Sequence, residues 1–261
     1  VHKYVRTPHI NGSRFQHGDH DLEAVDWSEL AGKHLVVEEK IDGSNVGVSF
    51  DQDGKLLLQS RGHYLRGGPR EKQFDLFKQW AACHKDTFFQ ALGSRYVMYG
   101  EWMFAKHTFY YDALPHYFME FDVLDTQVGD FLDTNKRKQL LLTCPVTSVL
   151  VLYEGAVASD GALANMITRS NFITDERIMN LNNTAEAAGV VATEAWKHTD
   201  HSTDMEGLYV KWEENGVVKG RYKYVRQSFT NSILDQEEHW HDRPIIQNRL
   251  LPGVFEKMFE Q

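Results

Sequence analysis

Two strand-like runs, Val36-Val37-Glu38-Glu39 and Val46-Gly47-Val48-Ser49-Phe50, are separated only by Lys40-Ile41-Asp42-Gly43, Ser44 and Asn45. So short a connection predicts a tight turn between two strands, with a lysine at its mouth. Gly43 has no Cβ, so the backbone there can come close to another group, a phosphate among them. A lysine in that place is a cation, and its amine becomes a nucleophile once it loses its proton. Taken alone, the four residues describe a solvated surface turn better. The rest of the chain has to decide.

Val46 to Phe50, a turn at Asp53-Gly54 and a return over Lys55 to Gln59 read as a hairpin. A two-residue loop would set Arg61 opposite Val46, beside the lysine turn. Residues 70–92 carry helical spacing through Phe74, Phe77, Trp80 and Ala81, closed by Gly93. Arg95 to Met103 and Tyr117 to Leu124 read as buried, aromatic-rich strands. The stretch 126–205 is mostly helical in composition and holds little that looks catalytic. A second hairpin follows: Leu208 to Trp212 runs out, Asn215-Gly216 turns, and Val217 to Arg226 returns. That register pairs Glu206 with Val225. Strand alternation then puts Lys219, Arg221 and Lys223 on one face with the Glu206 carboxylate. An edge strand kept charged against aggregation has the same spacing.

The 261 residues contain no repeat or linker that divides them, so a single domain over 1–261 is expected, with 227–261 as a short helical tail. Hydrophobic residues at 42% and charged ones at 25% are ordinary for a globular protein. No apolar run approaches the roughly 18 residues of a membrane span, and Val1 to Arg6 lack a signal-peptide core. Cys83 and Cys144 have no metal-ligand spacing, which favours reduced thiols and a cytoplasmic protein with no membrane partner. A net charge of −9 excludes nucleic-acid binding through bulk positive potential but leaves room for a local basic groove. His17-Gly18-Asp19-His20-Asp21 has side chains that could bind a metal but reads better as a charged surface loop, and His239-Trp240-His241 and the pair His198 and His201 lack the further ligands a metal site needs. Gly67-Gly68-Pro69 is no P-loop, because no G-K-[ST] ending follows.

In order along the chain stand Glu39-Lys40-Ile41-Asp42-Gly43-Ser44-Asn45, Ser60-Arg61-Gly62, Tyr99-Gly100-Glu101-Trp102, Tyr117 to Val123, Glu206-Gly207-Leu208-Tyr209-Val210-Lys211 and Arg221-Tyr222-Lys223. Together they resemble the six motifs of the covalent nucleotidyltransferases, the polynucleotide ligases and mRNA capping enzymes. Within that superfamily the chain looks most like the nick-sealing phage RNA ligase 2 type of ATP-dependent RNA ligase. The resemblance implies an α+β nucleotidyltransferase domain, ATP-grasp-like, with antiparallel sheets, flanking helices and no OB-fold domain. Its implied reaction joins 3′-hydroxyl and 5′-phosphate RNA ends, using ATP and Mg²⁺ (or Mn²⁺), in RNA repair. An end-healing kinase or phosphatase, or an accessory subunit, would suit such an enzyme as partner. The alternatives are a DNA ligase or GTP-using capping-type enzyme and, outside enzymes, a non-catalytic nucleic-acid-binding module.

The resemblance also assigns roles. Lys40 is the nucleophile, and Glu101 and Glu206 are the metal partners, since Mg²⁺ prefers oxygen ligands. Arg61, Lys211 and Lys223 handle phosphate charge in the transition state. Phe118 stacks on adenine, while Glu39 contacts the base and Asn45 the ribose or a phosphate. Arg221 stands where the family usually has a lysine, so Lys219 is expected to share its work. Because a free lysine titrates near ~10.4, a neutral Lys40 at pH 7 costs roughly 4 kcal/mol, which neighbouring cations are expected to help meet.

Overall fold

A computed structural model describes residues 1–15, 23–229 and 244–260. The strands on either side of the lysine turn enter different sheets. β1 (Leu35–Lys40) lies in a four-stranded sheet of order β10-β9-β1-β8, with β8 (Val151–Gly155), β9 (Gly207–Glu214) and β10 (Val217–Val225). β2 (Ser44–Phe50) lies in a second sheet of order β3-β2-β4-β5-β6, with β3 (Leu56–Ser60), β4 (Tyr96–Trp102), β5 (Phe118–Asp125) and β6 (Asp130–Phe131). All these pairs are antiparallel; the short β7 (Thr147–Ser148) joins β5 in parallel. Neither sheet closes into a barrel, and the architecture is the expected α+β one.

Apolar alternation explains why the sheets face each other across polar ground. Val46, Val48, Met98, Trp102 and Phe118 turn to the helix side of the larger sheet. There they meet Phe77, Trp80 and Phe88 from α1 (Asp75–Cys83) and α2 (Lys85–Leu92). Leu35, Val37, Leu208 and Val210 form a separate core on the far side of the smaller sheet. Burying each of these side chains contributes about 1.5–3 kcal/mol, so the apolar faces anchor both sheets outward.

Glu38, Glu120 and Asp122 point inward and meet Arg137 of α3 (Thr134–Leu140), Lys211 and Arg221. Arg137 bridges Glu120 at 3.0 Å and Glu38 at 3.5 Å; Lys211 bridges Glu38 and Asp122, each at 3.1 Å. Three carboxylates thus balance three cations between the sheets, as buried charge requires.

Both hairpins depart from the expected register by one residue. Asp51 Oδ1 accepts the N–H groups of Asp53 and Lys55, which lengthens the first turn, so Ser60 and not Arg61 lies opposite Val46. In the second hairpin the pairing jumps between Val218 and Gly220, leaving Lys219 as the extra residue of a bulge. Val225 therefore pairs with Gly207, and Lys219 leaves the face that Arg221 and Lys223 were to share with it. The stretch 126–205 is not mostly helical: it holds β6, β7 and β8 beside α3, α4 (Asp160–Ala164), α5 (Arg177–Ala187) and α6 (Ala192–Lys197). In the tail, α7 (Val254–Lys257) is the one helix among the described residues, and His239-Trp240-His241 lies outside them, as does the His17 to Asp21 cluster. Among the described residues no helix is long and apolar enough to cross a membrane.

Candidate active site

Lys40 ends β1 at the open side of the gap between the sheets. Residues 41–43 then carry the chain across to β2, and local contacts hold that crossing still. The Asp42 N–H donates to Tyr111 Oη at 2.8 Å, and Asp42 Oδ2 accepts the N–H groups of Thr108 and Phe109 at 2.8 and 2.9 Å. The Gly43 N–H donates to Glu101 Oε1 at 3.1 Å. A Cβ on Gly43 would stand 2.7 Å from both Met103 Sδ and the Trp102 carbonyl oxygen, so the glycine lets the turn press against β4. Gly207 has a like reason, since a Cβ there would meet the Tyr224 carbonyl oxygen at 2.1 Å. Beside it, Glu206 sits against Lys40.

The cleft has a volume of about 920 Å³, and Lys40, Asn45, Arg61, Glu101, Glu206 and Lys223 line it. Lys40 Nζ donates to Glu206 Oε1 at 2.7 Å, with the Glu206 carboxylate only 1% exposed. Burial alone would lower the lysine pKa, but the Glu206 ion pair and the nearby Glu101 and Asp42 carboxylates outweigh it and raise the pKa. The expected lowering by neighbouring cations is therefore reversed here, and Lys40 rests as an ammonium. Burial, with Asp42 and Glu206 adding like charge, pushes Glu101 up to about 8 against the opposing pull of Lys40. This end of the cleft carries an excess of negative charge around one cation. Cations stand farther along, with Arg61 and Lys223 on the walls.

Glu39 also lines the cleft, buried and held by Ser170 Oγ at 2.5 Å and by the Asn171 N–H and Nδ2 at 3.1 and 2.8 Å. Burial raises its pKa, against those three donors. Asn45 lies opposite Glu101 in the β2–β4 pairing, and its buried Oδ1 has no hydrogen-bond partner among the described residues. An acceptor left so in a cleft wall suits a ligand hydroxyl or amine.

Four expected site residues lie elsewhere. Phe118 is fully buried in the core, its ring 4.9 Å from Trp80 and 5.9 Å from Phe77, so it cannot stack on a ligand in the cleft. Phe121, three residues on and therefore on the opposite face of the strand, lines the cleft instead. The Lys211 ammonium is held by Glu38, Asp122 and the Phe121 carbonyl between the sheets and does not line the cleft. Arg221 pairs with Asp122 at 3.1 Å and lies 3.5 Å over the Phe131 ring, also away from the cleft walls. Lys219 is exposed on its bulge.

Other contributors carry no motif. Arg177 is buried, and its guanidinium donates to the carbonyls of Tyr110, Asp200 and Ser202, tying the 108–111 and 199–206 loops together. Those loops bind Asp42 and carry Glu206. Among the described residues no group of three or more His, Cys, Asp and Glu side chains could hold a metal. Glu101 and Glu206 supply two carboxylates, and a cation between them would need phosphate or water oxygens as well.

An RNA ligase family model matches residues 33–225. No curated protein matches the sequence significantly. Among solved structures, a mutant of Naegleria gruberi RNA ligase with ATP and Mn is 17% identical, with a TM-score of 0.50, over 77% of this chain and 51% of that one. An apo structure of another mutant of the same ligase gives 17% identity and a TM-score of 0.50 over 77% and 52%. The chain spans about half the length of these relatives. At that identity the likeness is one of fold.

Proposed function

Because the chain belongs to the RNA ligase family, we propose that it is a cytoplasmic, ATP-dependent enzyme that joins 3′-hydroxyl and 5′-phosphate RNA ends in RNA repair, through AMP held on Lys40. The observation that carries this reading is the pairing of Lys40 with buried Glu206 at 2.7 Å, in a cleft whose walls also present Arg61 and Lys223. The solved Naegleria ligase with ATP and Mn supports the choice of nucleotide and cation. The orphaned Asn45 Oδ1 and the Phe121 ring offer a polar and a flat contact to the nucleoside.

In the first step Lys40 Nζ forms a P–N bond to the α-phosphorus as the P–O bond to pyrophosphate breaks. Lys40 must lose its proton beforehand. Glu206 is the hydrogen-bonded acceptor in reach, and Lys223 and Arg61 favour the charge that develops on phosphate oxygens. A divalent cation bound by Glu101 and Glu206 would add Lewis-acid stabilisation of that charge. Transfer of AMP to the 5′-phosphate follows, then attack by the 3′-hydroxyl with release of AMP. An end-healing kinase or phosphatase would supply such ends.

Incubation with radiolabelled ATP or GTP and denaturing electrophoresis tests the reading. Label from ATP on the wild-type protein and none on Lys40→Ala or Lys40→Arg is expected, since a guanidinium keeps its proton. Label from GTP would favour a capping-type activity, and undiminished label on Lys40→Ala would remove the mechanism.

A further inference from the structure

The segment from Arg61 to Lys72 forms one lip of the cleft, and its charge runs against that of the whole chain. It carries Arg61, Arg66, Arg70 and Lys72 with one carboxylate, Glu71, in a protein of net charge −9. All four cations are exposed, and none is in an ion pair among the described residues. Glu71 is turned inward: it accepts the Gly67 and Arg66 N–H groups at 2.7 and 3.1 Å and pairs with Lys78 at 2.7 Å. Lys78 also takes up Asp75, at 3.5 Å. The acids of this corner are thus answered from within, and the outward face is left positive.

The lip has a defined shape. The Leu65 N–H donates to the Leu58 carbonyl at 2.8 Å, and a bridge between Gln59 and Tyr64 carries the lip off the end of β3. At its tip Gly67 and Gly68 have φ of 102° and 127°, conformations that suit glycine, and an added Cβ there would meet nothing within 4 Å. Space is therefore open beside the tip, while Glu71 holds its backbone in shape. Arg61 and Arg70 line the cleft itself, whereas Arg66 and Lys72 lie outside its lining. The positive surface therefore extends past the cleft lining.

We propose that this lip holds the sugar–phosphate backbone of a single-stranded RNA end next to the residue lying in the cleft. The proposal rests on the ligase reading for the identity of the polyanion. Guanidinium groups suit phosphate oxygens because they donate two parallel hydrogen bonds. Contacts of this kind fix position without reading sequence. The lip would thus guide an RNA end on an otherwise acidic protein whatever its bases.

The test measures binding of a fluorescent 12-nucleotide RNA across a salt series, without ATP, beside covalent labelling by ATP. The double variant Arg66→Gln with Lys72→Gln removes two exposed cations outside the cleft lining. Each single-strand phosphate contact contributes about 0.7 to the slope of log affinity against log salt, so the slope should fall by about 1.4. Label from ATP should stay at the wild-type level, and Arg66→Lys with Lys72→Arg should keep the wild-type slope. Unchanged affinity and slope in the glutamine variant, with labelling intact, would overturn the lip while leaving the ligase reading standing. RNA binding that weakens as expected in a wild-type background that takes no label would keep the lip and overturn the ligase reading.

Discussion

Arg221 and Lys223 are two residues apart on one strand, yet their charges serve different regions. Arg221 is enclosed between the sheets with Asp122, Lys211 and Arg137, beside Glu38 at the cleft's edge, whereas Lys223 lines the open cleft. In the enclosed region each cation faces a carboxylate, and burial sets the terms. Burial raises the pKa of Glu38 despite Lys211 and Arg137, while Lys211, Arg221 and Arg137 overcome burial and lower that of Asp122. In the cleft the cations keep solvent on one side and can answer a ligand. A cation in such a motif can therefore be structural, and its place between the sheets or on the cleft wall separates the two.

The largest expected effect breaks the enclosed region. Arg137→Met leaves Glu38 and Glu120 buried without their guanidinium and should cost about 3–5 kcal/mol of stability in denaturant unfolding. A loss below about 1 kcal/mol would mean that the network does not hold the sheets together. Phe118 and Phe121 sharpen the contrast next. Phe118→Ala should cost about 3–5 kcal/mol in unfolding, and ATP affinity measured under folded conditions should hold. Phe121→Ala should weaken ATP binding more than it lowers the melting temperature, and the reverse pattern for the pair would restore Phe118 as the ligand contact.

Lys223→Ala should slow covalent labelling by at least about a hundredfold, a few kcal/mol of transition-state stabilisation. Its melting temperature should stay near that of the wild type, whereas Lys211→Met should lower the melting temperature clearly. Equal losses of stability in the two would erase the distinction between the regions. Lys219→Gln is expected to do least: an exposed bulge residue should change stability within about 0.5 kcal/mol. A tenfold slower labelling step in that variant would draw Lys219 back toward the cleft.

What was legible in the sequence was local. The Lys40 to Gly43 turn, the strands around it and the hairpin at Asn215-Gly216 follow from neighbours in the chain. The bulge at Lys219 was not legible, because one extra residue in a strand leaves alternating cations looking alike. Strand motifs located β5 but not the face that Phe118 takes. Arithmetic on the strand period favours Phe121 only once the helix side is known. Arg137, Ser170, Asn171 and Arg177 belong to a stretch without motif-like pattern, and each has at least one partner far away in sequence. Ser170 reaches Glu39 across 131 positions, and Arg137 reaches Glu38 across 99.

The crossing at residues 41–43 has a mechanical consequence. Lys40 belongs to one sheet and Asn45 and Glu101 to the other, with three residues as the link between them. The proposed nucleophile thus stands at the pivot of two jaws. Any change in the gape of the cleft must swing the Lys40 amine relative to Glu101, so grip and reactivity are geared to the same axis.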